Sequence, residues 1–478
     1  MTPQEKLDLD LRDLRRINDG LVAYAVSHQE MMERLKAHKE DALCSVTNYN
    51  GDGKLMCTND ARLAMIDLAE RHRDCMRVPD DYSVAELYEG IRKHVVRAIV
   101  DEKEEEPALS RVLIEAVADA EKCHIERAYH FPCVVVPYQK PPQFNIGIVT
   151  FTSGEAFPVV FENELREIKD SKENSQFMSE RVNSFQEHIK RYGWIASVKV
   201  PACAAESAKA RAEIAVATAL NLLRLLFGVR YGRDMRVVHL AYTQPSDIEY
   251  ATSKNGQLEL HWSGKASGAL VEENWHLMVA EELDFWRRAA LLVNATVAGT
   301  RSEIADRVID ALTWFGEAAF ESAAGTQIVN FVAALERLTT TEWFIPHKFC
   351  SRVAMLAYND DSDFEKTYWE AFAIHTVRSE VIHGSYSPGS RTASKGLRLA
   401  HDLTRNALFR GLELYCLLDS GREASTLADL HRFFEREQSK RGTLLKKLRS
   451  ECGGKTEAKK ELARISSAGA RPRHSRFE

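Results

Sequence analysis

Apolar residues recur every three or four positions along most of the chain, and the places where that spacing fails divide it. Leu7, Leu11, Leu14, Ile17, Leu21 and Tyr24 form the first series; at 3.6 residues per turn they share one helix face. Residues 61–73, 84–100 and 108–128 repeat the spacing, which predicts a helical N-terminal region over residues 1–128. The acidic run from Asp101 to Glu106 ahead of Pro107 suits the first turn of its last helix. Between the first two helices, Asn48-Tyr49-Asn50-Gly51-Asp52-Gly53 opens like a calcium loop. Such loops need a bidentate Glu at the twelfth position, where Asn59 stands, so a plain turn is expected.

At Tyr129 the spacing gives way to β-branched runs. Residues 133–137 and 145–151 read as two strands separated by a turn at Pro141-Pro142. A charged helix over 162–192, a strand over 194–200, a helix over 204–227 and a strand over 237–242 follow. Asn255-Gly256 then marks a hairpin between Tyr250 and His261. Residues 129–270 are therefore expected to form an α+β region with a sensor or regulatory role. From 271 to 431 the helical spacing returns, with candidate helices over 273–297, 302–320, 326–338, 348–358, 363–383 and 397–418. Ser302 with Glu303 and Asp306, and Ser362 with Asp363 and Glu365, supply caps and acidic first turns. Gly384 supplies a left-handed stop after His383. The fold class is mainly α with an α+β middle region and a C-terminal helical bundle.

Composition narrows the function classes. At 478 residues the chain is long enough for several cores. No apolar run reaches the roughly 18 to 20 residues that span a bilayer; the longest, 215–229, is broken by Asn221 and Arg224. The N-terminus lacks a basic stretch followed by an apolar one. Nine cysteines occur without a C-x-x-C pair, against a disulfide framework or a structural zinc site. A reduced, cytoplasmic protein without membrane partners is expected. Neither G-x-x-x-x-G-K-[ST] nor H-E-x-x-H is present, which disfavours a P-loop nucleotidase and a zincin-type hydrolase. Net charge is −6, unevenly spread: residues 432–478 carry fourteen Lys and Arg against six Asp and Glu, leaving −14 on residues 1–431. Such a basic, flexible tail either holds a phosphate backbone by counterion release or simply keeps the chain solvated.

The candidate chemistry lies in Arg378-Ser379-Glu380-Val381-Ile382-His383-Gly384. An Arg followed by a His after four to six residues carries no information alone, since about four such pairs are expected by chance from this composition and three occur. The setting is what singles this pair out: His383 stands at an expected helix end, where free carbonyls favour an imidazolium. Five residues along a helix separate two side chains by about 140°, so they converge only if Arg378 extends and His383 is released at the cap.

Residues 300–420 resemble the HEPN domains, and more narrowly the Apea-like HEPN group of bacterial defence proteins. The resemblance is carried in order by Arg307-Val308-Ile309-Asp310-Ala311-Leu312-Thr313-Trp314-Phe315-Gly316-Glu317-Ala318, by Ala333-Ala334-Leu335-Glu336, by Ser351-Arg352-Val353-Ala354-Met355-Leu356, and by Arg378-Ser379 to His383-Gly384. His375 stands where the group carries a tyrosine. The resemblance implies a cofactor-free, metal-independent endoribonuclease acting as a homodimer, with Arg378 and His383 of both subunits lining a shared cleft. His383 would move the proton of an attacking RNA 2′-hydroxyl, and Arg378 would hold the phosphate. Ser379 could position a phosphate oxygen and Glu336 could orient Arg378. It further implies an antiphage effector of the abortive-infection type, restrained by residues 1–270 until a phage-derived trigger arrives. The alternative is a non-catalytic dimerisation or RNA-binding module attached to a sensor or scaffold.

Overall fold

Helices make up most of the chain in the computed structural model. It describes residues 3–22, 43–47, 54–98, 109–163, 165–166, 175–238, 248–254, 257–262, 275–299, 301–341, 345–358, 363–419 and 425–451. Two compact units divide it. One comprises Met1–Ala128, Lys199–Ala212 and Val297–Thr300, and the other Tyr129–Val198, Glu213–Thr296 and Arg301–Glu478. No helix among the described residues is long and apolar enough to cross a membrane.

In the first unit, α1 (Pro3–Val22), α2 (Asn59–Arg73), α3 (Val84–Val96) and α4 (Leu109–Lys122) enclose one core, and β1 (Leu43–Thr47) and β2 (Lys54–Thr58) form an antiparallel hairpin. Leu14, Ile17 and Leu21 of the predicted stripe are buried against Met65, Leu68, Ile91 and Val112. Leu7 stays exposed. Thr58 and Ser83 cap α2 and α3 by accepting from Ala61 N and Glu86 N. The helix expected to run to residue 128 ends at Lys122, and strand begins at Ile125. Residues 48–53, read as a turn, and the acidic run 101–106 lie outside the described residues.

Most of a five-stranded sheet belongs to the second unit: β3 (Ile125–Val134), β4 (Gln143–Ile146), β5 (Val149–Ser153), β6 (Trp194–Cys203) and β7 (Arg236–Val237), in the order β4-β5-β6-β3-β7, with only the start of β3 and the end of β6 assigned to the first. Residues 145–151, expected as one strand, instead fold back as the β4–β5 hairpin at Gly147. Glycine is required there on two grounds: its φ is +57°, and a Cβ would come within 2.8 Å of Ala290 O. Between strands lie α5 (Ser175–Tyr192) and α6 (Ala205–Phe227), and the predicted second hairpin is β8 (Ile248–Lys254) with β9 (Gln257–Trp262).

The helical run follows as α7 (Trp275–Glu281), α8 (Leu283–Val297), α9 (Glu303–Phe320), α10 (Ala324–Thr339), α11 (Pro346–Ala357), α12 (Phe364–Ile382), α13 (Arg391–Asp419), α14 (Leu427–Lys440) and α15 (Gly442–Glu451). Sheet and bundle belong to the same unit. Trp275 of α7 packs edge-on to Phe144 and donates to Lys140 O, and Arg405 of α13 caps α6 by donating to Leu225 O and Leu226 O at 2.9 and 2.8 Å. Helix α10 is central: it packs against α9, α11, α12 and α13, burying Ile328, Phe331, Val332, Leu335 and Leu338. The expected flexible tail from residue 432 is corrected as far as Glu451. Residues 432–451 are helical because Leu430, Phe434 and Leu448 are apolar anchors that bury against the bundle. Residues 452–478 lie outside the described residues.

Candidate functional site

The segment 378–384 forms the last turns of α12 and its exit. His383 is the C-cap, its N–H bonded to Ser379 O at 3.0 Å. Gly384 follows with φ +76° and bonds Val381 O, so the predicted left-handed stop is present. Glycine is favoured for its backbone alone, since a Cβ there meets nothing within 4 Å. The stop leaves His383 exposed at the helix end, with no hydrogen bond to its ring among the described residues.

Arg378 leaves the helix in a different direction, as the roughly 140° offset requires. Its Nη2 donates to Glu336 Oε2 of α10 at 3.3 Å, with the two side chains 29% and 23% exposed. The bond is long and single-pointed, and Arg378 Nε is buried without a hydrogen bond. A guanidinium presents five donors; with Nε buried, the Nη donors not used on Glu336 are the ones left for an anion. Burial pushes the Glu336 carboxyl up, with the Arg378 charge pulling the other way. Arg378 and Glu336 are thus brought together within one chain. Ser379 is half-buried beside them and contributes its carbonyl to the helix end.

His375, one turn before Arg378, lies against the Phe349 ring at 5.5 Å. Burial, reinforced by the Arg378 charge, holds its pKa down at about 4, so it stays neutral near pH 7. The unfolded chain therefore binds more protons than the folded one between about pH 4 and 6.5, and stability falls as pH falls through that window. We expect the acid limb of the unfolding free energy to flatten by up to about 3 kcal/mol in His375→Gln. Denaturant titrations of both proteins from pH 7 to 4 read this difference, and parallel curves would sink it. Glu336, shifted upward, loses stability as pH rises instead, and the difference between the two proteins isolates His375 from it.

Three more arginines surround the C-terminal turn of α10, where helix carbonyls lack partners. Arg307 of α9 donates to Arg337 O at 2.6 Å, and Arg352 of α11 donates to Thr339 O at 2.8 Å. Arg337 itself pairs with Asp310 at 2.7 Å. Burial holds the Arg307 pKa below its usual value, and the neighbouring Arg337 and Arg352 charges add to this. Arg307 and Arg352 were legible only as members of motif strings, because no local pattern marks an arginine that caps another helix.

Elsewhere, the first unit has an open cleft of about 510 Å³ bordered by His72, Met76, Ile114 and Val117. Its facing carboxylates are already engaged, Glu121 by Tyr82 and Asp81 by Arg211. No group of three or more His, Cys, Asp or Glu among the described residues is arranged to hold a metal ion. No family model, curated protein or solved structure matches the chain.

Proposed function

We propose that the chain is a metal-independent endoribonuclease of the HEPN type, acting as a homodimer, with Arg378 and His383 of both subunits lining a shared cleft. The observation that carries this is the state of Arg378. Its guanidinium is steadied by one long Nη2 contact to Glu336 that leaves further Nη donors uncommitted among the described residues, on a helix that ends in an exposed histidine. Such an arginine is poised to grip a phosphate diester through two donors. An exposed imidazole at that helix end is open to solvent and substrate, as a group that takes and returns a proton must be.

In the reaction, His383 removes the proton from the RNA 2′-hydroxyl, whose oxygen attacks the adjacent phosphorus. Arg378 stabilises the charge that builds on the phosphoryl oxygens. The 5′-oxygen leaves with a proton returned to it by an imidazolium, giving a 2′,3′-cyclic phosphate and a 5′-hydroxyl. The roughly 140° between Arg378 and His383 on one helix is what makes a cleft shared by two chains the natural arrangement. Glu336 acts as positioning residue for Arg378, and Ser379 borders the phosphate.

The test is incubation of the purified chain with RNA in excess chelator, followed by mapping of product ends. Cleavage with cyclic-phosphate ends is expected, and 5′-phosphate ends or complete sensitivity to chelator would sink the proposal. The physiological form is an antiphage effector, restrained by residues 1–270 until a phage-derived trigger arrives. A non-catalytic dimerisation or RNA-binding module is favoured by one observation: Arg378 already has a carboxylate partner, as a structural arginine would. That alternative gives binding without product.

A further inference from the structure

We propose that the outward face of α14 and α15 is a docking surface for the phosphate backbone of RNA. The inference rests on RNA being the substrate of the bundle and concerns how it is held.

The two helices are fixed by apolar anchors and present their cations away from them. Leu430 and Phe434, one turn apart on α14, are 3% and 0% exposed. Arg432 and Arg436 lie two positions further along, about 200° round the helix, and both are exposed. Leu448 is the fully buried anchor of α15, with Lys446, Lys447 and Arg449 exposed around it. From Leu427 to Glu451 there are seven Lys and Arg against four Asp and Glu.

Three of these four carboxylates, and one from α12, already have partners. Asp429 pairs with Arg432, Glu437 with both Lys440 and Arg441, and Glu365 of α12 with Lys447. Glu435 faces His431 at 3.1 Å. That leaves Arg436, Lys446 and Arg449 with no carboxylate partner among the described residues. The positive field extends onto α11: burial holds the pKa of His347 down, and the Arg449 and Lys348 charges reinforce it. Exposed surface cations normally alternate with acids that neutralise them. Here a cationic island stands on a protein whose first 431 residues carry −14. A polyanion with regularly spaced charges fits such an island, and neutralising its phosphates releases condensed counterions.

The experiment uses the full chain and a fluorescein-labelled single-stranded RNA bearing 2′-O-methyl groups. Such an RNA cannot be cleaved, so anisotropy reads binding alone. Arg436→Gln, Lys446→Gln and Arg449→Gln are combined, because each removes an unpaired cation and orphans no carboxylate. Affinity should fall at least tenfold at low salt, and the slope of log K against log salt should flatten by about 2, at roughly 0.7 for each phosphate no longer neutralised. The combined Arg436→Lys, Lys446→Arg and Arg449→Lys protein should keep the wild-type slope, which separates charge from fold damage. An unchanged slope in the glutamine protein overturns the proposal. So does an unchanged slope with lost retention on phosphatidylserine vesicles, which assigns the face to a membrane surface. Unmodified RNA assayed in parallel keeps the two ideas apart. Steep, variant-sensitive binding without cleavage removes the nuclease and leaves the surface. Cleavage with an unaltered slope does the reverse.

Discussion

His383→Ala is expected to lose RNA cleavage by about two to four orders of magnitude, the usual worth of a positioned acid–base group, while melting as the wild type does. The separation follows from where the side chain sits. The ring is exposed, and no hydrogen bond reaches it among the described residues. Its structural contact is the backbone N–H to Ser379 O, which alanine retains, so stability should stay within about 0.5 kcal/mol. Arg378→Ala contrasts with it. Losing a phosphate-stabilising donor should cost about two to three orders of magnitude in rate. Here melting should fall as well, because the half-buried Glu336 carboxylate loses its cation, at a cost of about 1 to 2 kcal/mol. Arg378→Lys should restore part of the stability and little of the rate, since an ammonium lacks the planar fork that grips two phosphate oxygens. Single-turnover cleavage and thermal melting on the same three proteins read both quantities. Wild-type cleavage in His383→Ala would move the chemistry elsewhere, and equal melting losses in His383→Ala and Arg378→Ala would make the pair structural.

Features fixed by local chemistry were the ones legible in the amino-acid order. The stripe Leu14, Ile17, Leu21 buries as its spacing requires, Ser302 caps α9 through Ala305 N, and Gly384 adopts the left-handed conformation that stops α12. Departures arise where a distant residue decides the outcome. Residues 145–151 look like one strand by composition, yet Gly147 turns the chain beneath Ala290 and Asn294, neighbours invisible to local pattern. Helix α13 begins at Arg391, six residues before its expected start, with Ser390 accepting from Ala393 N. Gly396 interrupts the spacing within that turn, although a Cβ there would meet Ile328 only at an ordinary 3.5 Å. The candidate site divides along the same line. Arg378 and His383 stood out through their helix end and motif order, but the unspent donors of Arg378 depend on how α10 lies beside α12. The arginines capping α10 depend on two further helices, and nothing in their own sequence surroundings marks that duty.

Arg352→Ala should destabilise the protein more than His383→Ala, Arg378→Ala or His375→Gln, by about 3 kcal/mol or more. Arg352 is 3% exposed, donates to Thr339 O at 2.8 Å, and lies over the Phe434 ring with its guanidinium carbon 5.1 Å from the centroid. Truncation strips a charged donor from a carbonyl at the end of α10, worth about 1.5 to 3 kcal/mol. A desolvated cation–π contact is worth about 2 kcal/mol, and the missing side chain leaves a cavity besides. Against these stands the cost of burying the charge, which truncation relieves, so the net lies below the sum. At about 2 to 4 °C per kcal/mol for a unit of this size, the transition should move down by roughly 6 to 12 °C. Arg352→Met separates the contributions: the thioether fills much of the volume over Phe434 but leaves Thr339 O bare, so a smaller loss of about 1 to 2 kcal/mol is expected. A methionine protein as stable as the wild type would mean that the guanidinium supplies volume and no net electrostatic stabilisation. The consequence reaches the site, because Glu336 lies one turn before Thr339. A frayed end of α10 no longer holds the carboxylate that steadies Arg378, and misplacing that guanidinium by a fraction of an ångström should slow cleavage about tenfold even well below the transition.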